Sequence, residues 1–180
     1  PGGYTIMAAG EQVYLGSEGS DVVVEVAGVS LDTAGDVVNE GSITAENGSV
    51  IMAAGDTLVR AIEGLDALAV EVETGDGGNV VNTGSISTTN GDVVAHAADD
   101  VTIDGPVDVD GSGHVTLHAS GAVDSDIFVK DTVSLESGSA SLNANDDIRV
   151  GDDVGGGGSL EITGGGDAEL IAGNDIEITV

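Results

Sequence analysis

The chain has no cysteine and no tryptophan. Without cysteine there is no disulfide framework and no thiolate metal centre, and export to an oxidising compartment stays open. Basic residues number three, Arg60, Lys130 and Arg149, at scattered positions. Nucleic-acid binders neutralise phosphate with clustered Lys and Arg, and anionic membrane surfaces hold proteins the same way, so both partner classes are excluded. No apolar run reaches the ~20 residues of a membrane-spanning helix, and no membrane insertion is expected. Aromatics are limited to Tyr4, Tyr14 and Phe128. The chain opens at Pro1 without a charged stretch leading into an apolar one. A signal peptide is therefore expected to have been removed or to lie outside this sequence.

What is present is acid, glycine and small aliphatics. The 180 residues include 33 Asp plus Glu and 30 Gly, for a net charge of −30, and 40% are hydrophobic, nearly all Val, Ile, Leu and Ala. The length suits one domain. Abundant, regularly patterned β-branched residues argue against disorder.

The pattern is a repeat, the first feature to settle in any fold assignment. Val37-Val38-Asn39-Glu40-Gly41-Ser42-Ile43 returns as Val80-Val81-Asn82-Thr83-Gly84-Ser85-Ile86, an offset of 43, and Ile6-Met7-Ala8-Ala9-Gly10 returns unchanged as Ile51 to Gly55, an offset of 45. A finer unit reads apolar-x-apolar-x-Ala, three residues, then an apolar position. Its six copies are Thr5/Met7/Ala9/Val13, Val50/Met52/Ala54/Leu58, Val93/Ala95/Ala97/Val101, Val115/Leu117/Ala119/Val123, Ala140/Leu142/Ala144/Ile148 and Ala168/Leu170/Ala172/Ile176. The last four start 22, 25 and 28 residues apart, so the 43 and 45 offsets read as two units each, with Val22/Val24/Val26 and Ala67/Ala69 in the intervening ones.

Alternation within a unit has period two, which means strand, and Gly, Asn and Asp supply the turns. Short strands restacked every ~22 residues describe an all-β, parallel β-helix of about eight coils, roughly 38 Å long at ~4.8 Å per coil. A single coil cannot bury its inward face, whereas stacked coils share one core and one hydrogen-bond ladder. The recurrent Ala lets the wall turn at a corner, and a narrow bore explains the dearth of aromatics. Residues 1–180 are read as one solenoid segment. Strands near both ends leave open edges that invite pairing. A segment of a longer solenoid is favoured over copies stacked head to tail.

The run Val37-Val38-Asn39-Glu40-Gly41-Ser42-Ile43-Thr44-Ala45-Glu46-Asn47-Gly48-Ser49-Val50, continuing into Met52-Ala53-Ala54-Gly55-Asp56, resembles the filamentous-haemagglutinin-type exoproteins of two-partner secretion. Residues 3–58 follow that family's phrase V-x-N-x-G-x-I-x-A-x-x-G-x-V-x-L-A-A-G-x-x-V in spacing. Residues 79–103 repeat it with Thr88 in place of Ala45 and His96 in place of Ala53. The likeness is best over 1–103, and 104–180 carry only generic coils. It implies a right-handed β-helix, exported and extracellular or at the cell surface, within a long fibrous adhesin.

Register places candidate ligands. His96 and His118 occupy one position in consecutive units, and Asp92 and His114 another, all on the outer face. Imidazoles beside a carboxylate can take a transition metal. The plainer reading is a solvated ladder. In a second stack Asp147 falls over Asp175 and Asp146 over Asn174, with Asp99-Asp100 earlier and Asp108, Asp110, Asp124 and Asp126 on turns. Stacked carboxylates repel, so one protonates, turns away or shares a cation, and hard oxygen donors suit calcium. The plainer reading is again solvated surface. No cofactor is required on this reading, and calcium is the candidate ion.

The charge fits secretion into calcium-rich or saline water, or general halophilic adaptation. A polysaccharide-cleaving β-helix is the remote alternative. Asp99-Asp100, Asp146-Asp147 and Asp152-Asp153 are adjacent acids, but neighbours on a strand face opposite sides, and an anionic sugar meets a repulsive surface. The Gly155–Gly158 and Gly164–Gly166 runs lack a following helix and Lys, so they read as turns rather than phosphate loops. The expectation is a non-enzymatic structural solenoid, part of a fibre, spacer or scaffold, whose partner is its own copies or continuation. The alternative is an adhesin binding a glycan or neighbouring surface directly.

Overall fold

Alternating apolar residues become short strands wherever Gly, Asn or Asp ends the run, and those strands wind into a parallel spiral. The computed structural model describes residues 4–9, 12–18, 21–27, 35–55, 57–61, 68–72, 77–122, 124–151 and 157–179. Within them every regular element is a strand. The first turn holds β1 (Tyr4–Ala9), β2 (Gln12–Glu18), β3 (Asp21–Ala27), β4 (Val37–Asn39) and β5 (Ser42–Glu46). The second holds β6 (Ser49–Ala54), β7 (Thr57–Ala61), β8 (Leu68–Val72), β9 (Val80–Asn82) and β10 (Ser85–Thr89). Thereafter each turn has three strands: β11 (Val93–Ala97), β12 (Val101–Ile103) and β13 (Val107–Asp110); β14 (Val115–Ala119), β15 (Ile127–Val129) and β16 (Thr132–Leu135); β17 (Ala140–Ala144), β18 (Ile148–Val150) and β19 (Ser159–Ile162). A sixth turn has β20 (Ala168–Ala172) and β21 (Ile176–Ile178).

Three parallel sheets form the walls. The first is β1-β6-β11-β14-β17-β20, the second β4-β9-β12-β15-β18-β21, and the third β5-β10-β13-β16-β19. The molecule is thus a parallel β-helix, as its periodicity predicts. Its inward columns are those of the repeat: Thr5, Val50, Val93, Val115, Ala140 and Ala168 stack in register, as do Ala9, Ala54, Ala97, Ala119, Ala144 and Ala172. Met52, Ala95, Leu117 and Leu142 form the column between them, and all four are sealed from solvent. Each fully buried Leu or Ile contributes roughly 1.5–3 kcal/mol of apolar transfer, and the stack makes that burial continuous.

The coil count departs from the expected eight. The first sheet has six strands, spanning ~24 Å at the usual strand spacing. The offsets of 45 and 43 are single turns, each lengthened between the first and second sheets by a pair of strands. Those pairs, β2 with β3 and β7 with β8, make a separate antiparallel sheet in the order β2-β3-β7-β8. Val22, Val24 and Val26 therefore lie on β3, where Val24 pairs with Leu15 of β2 and Val59 of β7, not in a coil. Ala69 sits opposite Arg60 on β8, and Ala67 falls outside the described residues. Val13 and Leu58 likewise belong to the antiparallel sheet, and Val37 and Val80 take the second-sheet position in those turns. In the fourth turn Ile127, not Val123, stacks on Val101, because the corner after Ala119 is longer. Val123 falls outside the described residues.

One corner shows why glycine is so frequent. Gly48, Gly91, Gly113, Gly138 and Gly166 each precede the first inward residue of a first-sheet strand by two positions. A Cβ on any of the last four would land on the carbonyl oxygen of the glycine one coil below. Only glycine lets consecutive corners approach this closely. In the first two turns that corner is entered through Asn47 and Asn90, whose φ angles of 51° and 55° suit a side chain that tolerates the left-handed region.

Candidate functional site

The residue immediately before each second-sheet strand is Asp36, Asn79, Asp100, Asp126, Asp147 or Asp175. These six form one continuous column. The side-chain oxygen of each accepts the backbone N–H of the next: Asp36 Oδ1 from Asn79 at 2.9 Å, Asn79 Oδ1 from Asp100 at 3.1 Å, Asp100 Oδ1 from Asp126 at 2.9 Å, Asp126 Oδ1 from Asp147 at 2.9 Å and Asp147 Oδ1 from Asp175 at 3.0 Å. The backbone N–H at a sheet corner has no ladder partner, and an Asx oxygen one coil below supplies it. Sequence register places Asp147 under Asp175 and Asp146 under Asn174, and the structure agrees: the Asn174 N–H also meets the Asp146 carbonyl at 3.0 Å. What register alone misses is that one oxygen of each side chain in this column accepts a backbone N–H.

Around Asp147 the column thickens into a cluster. Carboxylate oxygens of Asp126, Asp146 and Asp147 all lie within 4.8 Å of one another. The Arg149 guanidinium spans two of them, with Nη1 at 3.4 Å from Asp126 Oδ2 and Nη2 in close contact with Asp147 Oδ2. Its other face lies 5.4 Å from the Phe128 ring centroid, and Lys130 Nζ approaches the same ring at 5.4 Å. Arg149 and Phe128 are register partners on neighbouring strands. Burial, then the charges of Asp147, Asp126 and Asp124, hold the Asp146 carboxyl above its usual range, with a hydrogen bond to Asn174 opposing them. Burial also raises Asp100, and the N–H of Asp126 offsets part of that rise. Of the calcium set Asp146, Asp147, Asn174 and Asp175, the structure brings the first two together with Asp126. Asp175 stands exposed one coil above. Arg149 supplies a cation between two of these carboxylates. The spacing Asp147-x-Arg149, which puts both side chains on one face of a strand, was the readable signal.

The histidines divide into two places. His96 and His118 stack as expected, with ring centroids 4.2 Å apart and planes inclined at 52°. His96 Nε2 lies 3.2 Å from Ser120 Oγ. His96 is only 5% exposed, and burial first and His118 second push its pKa down to about 3. Burial lowers His118 as well. His96 was expected to face solvent. It does point outward from the coil, but the outer face is covered here: Ile51 and Ala53 are fully buried and Val94 nearly so. β3 of the antiparallel sheet comes close to β1 of the first sheet.

His114 and Asp92 do a different job. The His114 N–H donates to Asp92 Oδ1 at 2.9 Å, and His114 Nδ1 accepts the Ser139 N–H at 3.1 Å. With Ser49 below and Asp167 above, they form a second corner column: Asp92 N–H to Ser49 Oγ at 3.2 Å, and Asp167 N–H to Ser139 Oγ at 3.4 Å. His118 lies four residues after His114 along an extended strand, ~13 Å along the chain. The four expected transition-metal ligands therefore make two separate pairs. Among the described residues, Asp126, Asp146 and Asp147 are the set of three ligand groups that converges.

Asp108 and Asp110 lie exposed on β13, and Asp124 occupies a corner with φ of 50°. Asp152 and Asp153 fall outside the described residues. No protein-family model matches the chain, and no curated protein or solved structure matches it.

Proposed function

We propose that this chain is a structural segment of an extracellular solenoid, a spacer or scaffold whose partner is its own continuation or further copies of itself. The observation that carries the reading is the use made of the corner side chains. In two columns, running the length of the coil, groups that would serve as ligands or catalysts accept the backbone of the next coil instead. Solenoid stability is a sum of such nearest-neighbour terms, so a protein that puts its polar corners into them gains length and stiffness. The haemagglutinin-type phrase in residues 3–58 supports export to the cell surface. Adjacent acids do not favour glycan cleavage, since Asp100 and Asp147 are committed to backbone N–H groups. Calcium is not required on this reading, because Arg149 already bridges Asp126 and Asp147.

Electron microscopy of native material tests it. Fibres much longer than the ~24 Å coil, with an axial repeat near 4.8 Å, are expected. Isolated short rods would overturn it.

One observation favours a second reading, an adhesin that binds a surface glycan. Phe128, flanked by Lys130 and Arg149, is an aromatic platform with cations on an otherwise acidic molecule. Saturable glycan binding abolished by Phe128→Ala would establish it over the spacer.

A further inference from the structure

Two surfaces of this molecule carry no acid, Lys or Arg, and they suit each other. The first is the outward face of β6 and β11. Ile51, Ala53, Val94 and His96 are buried there although they point away from the coil. The second lies on the antiparallel sheet. Residues directly opposite each other in an antiparallel pair share a face, so Leu15, Val24, Val59 and Val70 form one row across all four strands. The flanking rows add only Val, Leu, Ala, Ser and Thr to that face. The ionisable residues of these strands, Tyr14, Glu18, Asp21, Glu25, Arg60 and Glu71, all take register on the opposite face. β3, an inner strand of that sheet, comes close to β1 of the wall. Two apolar sheet faces stack to exclude water between them.

We propose that the antiparallel sheet is a releasable cover laid apolar face down on β6 and β11, and that proton uptake at the stacked His96–His118 pair undocks it while the coil stays wound. The proposal rests on the fold and not on the spacer reading.

His96 stands at the border of the covered wall. One strand further on, Thr116 is exposed and His118 half-buried. The two rings are 4.2 Å apart, and His96 Nε2 lies 3.2 Å from Ser120 Oγ. The column through His96 runs Ala53, His96, His118 and Asn143, with no carboxylate to hold a charged ring. In the neighbouring outward column the first acid above Val94 is Glu169 of β20, three strands on. At the corner after β11 are Asp99 and Asp100, and Asp100 Oδ1 is taken by the Asp126 N–H. The apolar face of the cover offers no countercharge, since Glu25, Arg60 and Glu71 lie on its other side. A proton on covered His96 is thus out of water and unpaired. Burial first and His118 second hold its pKa down to about 3, and burial lowers His118 as well. A ring kept neutral when covered, but free to charge when bared, eases undocking as pH falls below its ordinary ~6.5. The coil is driven the other way. Acid relieves the self-repulsion of a net charge of −30, and raised Asp100 and Asp146 take up protons more readily in the fold. Acid therefore parts the two layers.

The test is amide hydrogen exchange on the full chain between pH 7 and 4, corrected for the intrinsic effect of pH, with wild type and His96→Leu side by side. In the wild type, protection of β2, β3, β7 and β8 falls as pH drops below ~6.5, by up to about tenfold per pH unit, the slope of one linked proton. β12 to β18 stay protected over the same range. In His96→Leu the cover keeps its protection. Loss shared equally by β12 to β18, cover protection that ignores pH, or the wild-type slope persisting in His96→Leu overturns the proposal. Should His96→Leu fail to fold, the imidazole NMR signals of the wild type decide. His96 takes up its proton in the step that releases the cover. A ring that titrates under a protected cover, or a cover released with the ring still neutral, overturns the proposal equally.

Discussion

The first sheet presents the same inward face along its whole length and two different outward faces. In β6 and β11 the outward residues are Ile51, Ala53, Val94 and His96, and all are buried. In β14, β17 and β20 they are Thr116, His118, Ser141, Asn143, Glu169 and Ile171, half-buried or exposed. The chain excursions between the first and second sheets occur in the first two turns alone. Inward residues therefore specify the coil, and outward residues report what is laid over it. An apolar outward column in a β-helix predicts a covering layer as surely as an apolar inward column predicts a core.

The largest expected effect ignores the distinction, because the glycine corner serves covered and bare turns alike. Gly138→Ala drives a methyl into the Gly113 carbonyl and should cost about 3 kcal/mol or more. Gly165→Ala meets open space and strains only a φ of 104°, for about 1 kcal/mol. Urea midpoints decide the matter, and equal losses at the two sites would sink the corner argument.

Next is acid, which should separate covered from bare outer face. His96 holds a pKa of about 3 against an ordinary 6.5, through burial and then His118. A lowered imidazole pKa means the fold favours the neutral ring. That stability is fully present above ~6.5 and is lost as pH falls from there toward about 3. Asp100 and Asp146, both raised, contribute with the opposite sign as they take up protons. The clean readout is thus the difference between the wild-type chain and His96→Leu across pH 7 to 4. The His96→Leu chain should lose the acid-dependent part. A slope shared by both chains would place the sensitivity elsewhere.

A smaller loss is expected at the bare corner. Arg149→Met leaves Asp126 and Asp147 without their guanidinium and should cost about 1 kcal/mol, more at low salt, since the pair is partly exposed. A Tm unchanged at low ionic strength would show the ion pair to be idle. Smallest of all, calcium added at fixed ionic strength should leave the wild-type Tm unmoved. A rise of several degrees would mean that calcium displaces Arg149 from the cluster.

Most of the coil is legible in the residues, and the reasons for the exceptions are physical. The inward columns can be aligned residue by residue because burial imposes them on every turn. The antiparallel pairs are not separable by the same means. Val22/Val24/Val26 alternates as a coil strand does, since period two says nothing about the direction of the partner. An offset of 43 is also close to twice 22, so one long turn passes for two short ones. Val37-Val38-Asn39 and Val80-Val81-Asn82 held the correction, because both open the second wall after a single pass. At the candidate site the stacking of Asp147 on Asp175 and of His96 on His118 is readable from register. The role of His114 is not, because nothing in its neighbours says that a corner N–H one coil above lacks a carbonyl. The cover over His96 was readable in Ile51, Ala53 and Val94.

The corner columns bear on how such a rod fails under tension. Hydrogen bonds of the sheets and of the Asx column all run along the axis, from one coil to its neighbour. A pull on the ends is therefore shared by every bond at an interface at once, and the bonds must part together rather than peel one by one. Fracture would be a transverse break between two coils, leaving intact stacks on either side and only the linking segment of chain drawn out between them.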